Sequence, residues 1–274
     1  MPKDKRHHYV PQCYLEAWTT DHYLYSIPKK QGITRLQHKK EVAKKNHLYK
    51  LPSTLFENSS ITNPELRELI TEKLIFKTWE DRWTKVRYVL DHHLDLTQVL
   101  HSIKGFVITQ SFRTPKFLRL NKEKLERTGK ADNVMEDSHH FAFLGIKGLT
   151  DYIENCVCEI FKIVDLPNFI TCDNPATHWI QEGEIFHHLN GIALNEDLYK
   201  NPNYKILCPL HPKYFAILSP NLGINIGEKD KNKIWFASFK KDTFNQLNQM
   251  VEYGADKMLF AKDLKDFIKV QQIP

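Results

Sequence analysis

The sequence predicts an α+β fold: a small N-terminal hairpin, a helical middle, and a C-terminal, mostly antiparallel sheet with a closing helix. Three observations carry this. Residues 22–27 alternate and are followed by Pro28-Lys29-Lys30-Gln31-Gly32 and a second short run, which is a hairpin pattern. Residues 63–90 repeat apolar side chains near helical spacing, and from Pro167 onward the pattern changes to short apolar runs separated by turn residues.

Taken in order, residues 11–18 read as a short helix, because Pro11 suits a first turn while Tyr14, Leu15 and Trp18 share one face. Residues 63–90 form the clearest helical stretch, with Pro64 near its start and Leu66, Leu69, Ile70, Leu74, Trp79 and Trp83 recurring along it. A second helix covers 97–114 and is stopped by Pro115. The polar interval 121–133 is the expected exposed loop, and a third helix spans 137–164, with a break at Gly145 or Gly148. Strands follow at 169–172, 204–208, 214–219 and 234–238. The last helix, 241–253, is closed by Gly254 as its C-cap, before a strand at Met258–Ala261. No repeat, low-complexity tract or glycine-rich linker divides the chain, so a single domain over residues 1–274 is expected.

A chain of 274 residues buries roughly 70–75% of its unfolded surface and needs no disulfide or structural metal. Hydrophobic residues make up 41% and charged residues 26%, which argues for a globular core rather than disorder. No apolar run is long enough for a membrane span, and the start lacks the apolar stretch of a signal peptide. A cytoplasmic protein without a membrane partner is expected. Five cysteines, an odd number, fit a reducing compartment. Cys156 and Cys158, read within a helix, would point to different faces and serve as buried small hydrophobes rather than a zinc knuckle.

The net charge of +6 is unevenly placed. Residues 1–50 carry 11 Lys and Arg against 4 Asp and Glu, leaving 28 against 29 for the rest. This basic region either attracts phosphate-rich partners such as nucleic acid or forms a solvated face.

Four motifs could carry chemistry. Arg6-His7-His8-Tyr9-Val10-Pro11 places two imidazoles beside a rigid proline, and imidazole can ligate metal or move protons near neutrality. Gln110 and Arg113, three apart on a largely apolar helix, share one face, and a guanidinium there needs a carboxylate or an anionic substrate. Phe169-Ile170-Thr171-Cys172-Asp173-Asn174-Pro175 puts a carboxylate and an amide at a strand end, where either turn chemistry or a functional role accounts for them. Pro209-Leu210-His211-Pro212 is the fourth. His140, beside His139, can join the same site. The templates of serine hydrolases, zinc proteases and nucleotide-binding loops are absent.

These motifs, in this order from residue 7 to about residue 261, resemble the bacterial DUF4238 family. The resemblance implies a shared architecture and a shared set of polar residues, with Cys172 standing where the family pattern carries serine. On this basis His7, His8, Asp173 and Asn174 are the candidate catalytic residues, and Gln110, Arg113 and His140 the candidate substrate-binding residues. The expected function is phosphodiester hydrolysis by a nuclease, with a divalent metal ion as a conceivable cofactor. The alternative is a nonenzymatic module that binds nucleic acid or protein through the basic N-terminal region.

Overall fold

In the computed structural model the described residues are 6–30, 32–46, 48, 77–128, 156–183, 185–189, 200–220, 234–235 and 241–268. The expected N-terminal hairpin is β2 (Tyr23–Pro28) with β3 (Arg35–His38). It does not stand alone. The C-terminal strand β12 (Met258–Ala261) pairs with β2 on one side and with β6 (Thr171–Cys172) on the other, giving a four-stranded sheet in the order β3-β2-β12-β6. Chain ends remote in sequence therefore share one sheet. A further short ladder joins β1 (Arg6–His8) to β4 (Lys44–Asn46).

The larger sheet has six strands, ordered β11-β5-β10-β9-β7-β8: Ile234–Trp235, Cys156–Lys162, Tyr214–Pro220, Tyr204–His211, Thr177–Glu182 and Ile185–His188. All its pairings are antiparallel except β11 with β5. The long central strands β9 and β10 are buried almost throughout.

The helical middle shares one core with both sheets, through Leu24 and Phe260 of the smaller and Ile206 and Leu218 of the larger. α1 (Gln12–Leu15) leads through a 3-10 turn (Glu16–Trp18) into the hairpin. α2 (Lys77–Asp91) is the described part of the first predicted helix, and residues 63–76 lie outside the described residues. α3 (Leu100–Phe112) is largely apolar and buried all round from Ile103 onward, so it sits in the core rather than on a surface. Its Gly105 allows Trp79 of α2 to approach so closely that a Cβ would stand 2.3 Å from the indole ring. Trp83 stacks on Phe106 at 3.9 Å between centroids, and Tyr14 stacks on the same phenyl ring at 5.5 Å.

Several predicted boundaries change, each for a local reason. The predicted 97–114 helix divides into a 3-10 turn (Leu96–Val99) and α3. Pro115 ends α3 and also begins α4 (Pro115–Thr128), because proline's missing N–H is no loss at a first helical position. The predicted loop at 121–133 is thus helical as far as Thr128. The predicted helix at 137–164 is contradicted over Cys156–Lys162, where β5 alternates in burial and turns Cys156, Cys158 and Ile160 into the core. The two thiols therefore share a face, as a period of two requires. Residues 137–155, with His140, lie outside the described residues.

α5 (Lys241–Gly254) closes the fold and is followed, after β12, by α6 (Leu264–Ile268). Gly254 serves by its size. A Cβ there would meet Thr177 Cγ2 at 2.5 Å, and its φ is not among the left-handed values.

Candidate functional site

The four sequence motifs meet in the interior, mainly through backbone contacts. Arg113, 5% exposed, donates from Nη1 to Glu80 Oε1 and from Nη2 to the His8 carbonyl, both at 2.5 Å. Gln110 Nε2 donates to the Tyr9 carbonyl at 2.7 Å. The helix residues predicted to bind substrate thus grip the main chain of the His7-His8-Tyr9 segment. Successive strand residues alternate, so His7 and His8, paired with Lys45 and Lys44 in the β1–β4 ladder, lie on opposite faces. Burial pushes the His8 imidazole below its ordinary pKa, aided by Lys44 and Arg113, while the Val42 carbonyl and Glu80 act in the other direction.

Asp173 is 2% exposed, and its two oxygens accept from the backbone N–H groups of Asp256 and Lys257 at 2.8 and 2.9 Å. Burial raises its pKa to about 6, although those bonds pull it down. Asn174 accepts from Thr114 Oγ1 at 2.6 Å and donates to the Gly254 carbonyl at 3.0 Å. Together these two side chains clamp the end of α5 and fix where β12 begins. Tyr14 completes the network: its hydroxyl donates to the Pro209 carbonyl at 2.6 Å and lies 2.7 Å from Thr171 Oγ1. Trp18 Nε1 donates to the Phe169 carbonyl at 3.1 Å.

The chain matches the family described as a protein of unknown function, DUF4238, over residues 6–265. It belongs to that family. No curated protein and no solved structure matches it. The DUF4238 motifs quoted from the sequence fall within the matched span.

An open groove of this DUF4238 chain lies beside the motif network. It measures about 340 Å³ and is lined by Glu16, Asp21, His22, Arg87, Asp91 and Lys262, among others. The network positions its walls: Tyr14 and Trp18 anchor the segment that carries Glu16, and the Asp173 clamp precedes the strand that leads to Lys262. Asp21 and His22 occupy the two central positions of a tight turn whose ends, Thr20 and Tyr23, exchange backbone hydrogen bonds. Both have left-handed φ values, 51° and 68°, where glycine or asparagine is the usual occupant. Such strain costs about 1–3 kcal/mol per residue and gathers at functional sites.

His22 Nδ1 lies 2.9 Å from Glu16 Oε1, which leaves Nε2 as the free nitrogen of an exposed ring. Glu16 Oε2 pairs with Lys39. Across the groove, Asp91 Oδ1 meets His211 Nε2 at 3.0 Å, and Asp91 Oδ2 lies 3.5 Å from Arg87 Nε. His211 Nδ1 accepts from the Lys213 N–H, so its proton is on Nε2 and points to Asp91. Burial lowers the His211 pKa against the pull of Asp91, consistent with a neutral ring that orients a carboxylate. Burial acts to raise the Asp91 pKa, but the His211 hydrogen bond and nearby cations, Arg87 among them, more than offset it.

None of the groove's lining residues belongs to a sequence motif; His211, which touches Asp91 from behind, does. Glu16, His22, Arg87, Asp91 and Lys262 are scattered singly, and the one local signal is a polar pair, Asp21-His22, between two residues of a hairpin. The N-terminal basic excess is partly neutralised, since Lys39 pairs with Glu16 and Lys44 with Glu41, while Lys29 is engaged by the Tyr253 and Ala255 carbonyls. Among the described residues no group of three or more His, Cys, Asp or Glu side chains could hold a metal ion, and no helix is long and apolar enough to cross a membrane.

Proposed function

We propose that this protein is a phosphodiester hydrolase of the nuclease type, acting in the cytoplasm, with its acid–base chemistry at His22. The observation that carries this reading is the Glu16-held imidazole on a strained turn, its Nε2 free beside a groove that also presents Arg87 and Lys262. A carboxylate accepting from Nδ1–H fixes the ring and its tautomer and leaves the lone pair on Nε2. His22 Nε2 takes the proton of the attacking hydroxyl or water as the new P–O bond forms; the old P–O bond breaks, the leaving oxygen takes a proton from solvent, and Arg87 and Lys262 stabilise charge on the phosphoryl oxygens. In this reading the DUF4238 residues Arg113, Gln110, Asp173 and Asn174 are the scaffold that holds the groove in shape.

A second reading keeps the protein as a nonenzymatic module that binds nucleic acid or protein. It is favoured by the inward engagement of the motif residues, since a binding surface needs no exposed motif. Incubating the protein with single- and double-stranded RNA and DNA, with and without Mg²⁺, Mn²⁺ or Zn²⁺, separates the two. Cleavage supports the hydrolase; binding with a steep salt dependence and no cleavage transfers support to the module. Neither cleavage nor binding rejects both nucleic-acid readings.

A further inference from the structure

Beside the groove, α2 carries a pair of rings that the core does not use. The core takes Trp83, Val86, Val89 and Leu90 from this helix, while Arg87 and Asp91, four apart, line the groove. Tyr88 and His92 each follow one of these by a single position. They therefore project about 100° further round the helix, away from the core and next to the groove's α2 wall. Tyr88 is 56% exposed, and neither ring belongs to a core cluster.

The two rings are nevertheless held in place. Their centroids lie 4.2 Å apart with 32° between the planes, and His92 Nδ1 donates to the Tyr88 carbonyl at 2.8 Å. That bond fixes the imidazole, and the imidazole backs the phenol, whose remaining surface faces solvent. His92 also acts on the groove wall. Burial works against the Asp91 carboxylate, the His211 hydrogen bond favours it, and Arg87 and His92 add to that favour.

At about 340 Å³ the groove is at the small end for a ligand pocket. A polynucleotide whose phosphate meets Arg87 and Lys262 must leave its neighbouring bases outside. Such a base is held by stacking on an aromatic face, which accepts any base because every base has a π-face. In a duplex the bases are paired and covered by their neighbours, whereas an unpaired base can turn out and offer its face. We propose, resting on the phosphodiester reading of the groove, that Tyr88 backed by His92 is a stacking subsite for an unpaired base, and that the substrate is a single-stranded nucleic acid.

The test measures affinity apart from cleavage. Three labelled probes are titrated in the cold by fluorescence anisotropy: a short single strand, the same strand in a blunt duplex, and a sugar–phosphate strand without bases. The proteins are wild type, Tyr88→Ala and Tyr88→Phe, with cleavage of the first two probes followed in parallel. The expected result is that the single strand binds more tightly than the duplex, and that Tyr88→Ala weakens single-strand binding roughly 5- to 150-fold. Tyr88→Phe should bind as wild type does, and duplex binding should not change. Against the strand without bases Tyr88→Ala should cost nothing, since the stacked partner is already gone. An equal loss on all three probes marks a structural role for the ring and overturns the proposal. A Tyr88→Ala variant that binds the single strand as wild type does, or a wild type that prefers the duplex, also overturns it, whether or not cleavage is seen. The expected binding pattern without any cleavage supports the subsite and rejects the hydrolase reading. A wild type that binds none of the probes overturns both.

Discussion

Thr171 donates to the Tyr14 hydroxyl at 2.7 Å across 157 positions of sequence, and the phenol hydrogen passes on to the Pro209 carbonyl at 2.6 Å. One buried side chain thereby joins three separate motifs. Tyr14→Phe keeps the ring stack on Phe106 and removes only the oxygen, leaving a buried hydroxyl and carbonyl unsatisfied. A loss of about 1–3 kcal/mol is expected, measured by urea unfolding. Adding Thr171→Val should cost little more, since its partner is already gone. Additive losses would show that the two groups do not act together.

Arg113→Ala should destabilise far more than Arg119→Ala. Arg113 is almost fully buried, and its removal strands the His8 carbonyl and part of Glu80, at about 3 kcal/mol, the low end for a buried pair because Glu80 keeps some solvent contact. Arg119 is half-exposed and pairs with Asp256 at 2.8 Å. Exposed pairs contribute less than about 1 kcal/mol. Equal unfolding midpoints for the two variants would contradict this assignment.

How far the sequence could be read depended on whether a local pattern was enough to decide a conformation. The β2–β3 hairpin, α5 and β12 were legible because alternation or helical spacing agrees with their burial. Residues 156–162 were not, because Cys-Val-Cys-Glu-Ile-Phe-Lys lies in a stretch that also reads as helical, and only pairing with β10 selects the strand. Pro115 was read correctly as a stop and missed as a start. The motif residues were found by type, but their direction was not: a buried arginine or aspartate reads the same whether it faces substrate or a backbone carbonyl. The groove was invisible because its residues come from elements far apart in sequence that only tertiary packing brings together.

Asp173 sets two effects against each other, and pH reveals the winner. Its pKa rises to about 6 when folded, above the unfolded value of about 3.9. Its contribution to stability is therefore fully present below about pH 4 and is lost as pH rises through about 6. Asp173→Asn removes this dependence and turns an amide N–H toward a backbone donor, with a further loss of about 1–3 kcal/mol. Unfolding free energies of wild type and variant across this window should converge as pH rises. Divergence would mean that the two backbone hydrogen bonds outweigh burial.

Gly254→Ala drives a methyl group into Thr177 Cγ2 and should cost about 1–3 kcal/mol through overpacking. Thr177→Ser removes that methyl and keeps the oxygen that accepts from Trp179. The double variant should recover much of the loss in a thermal melt. No recovery would move the cause from contact to backbone conformation.

The most direct measurement is cleavage of RNA and DNA oligonucleotides by wild type and His22→Ala at matched concentrations. The His22 ring is exposed, and among the described residues its hydrogen-bond partner is Glu16, so the variant should melt with the wild type while cleavage falls by roughly 10²–10⁴-fold. Wild-type protein that cuts none of these substrates, or a His22→Ala variant that cuts as well as wild type, would contradict the account.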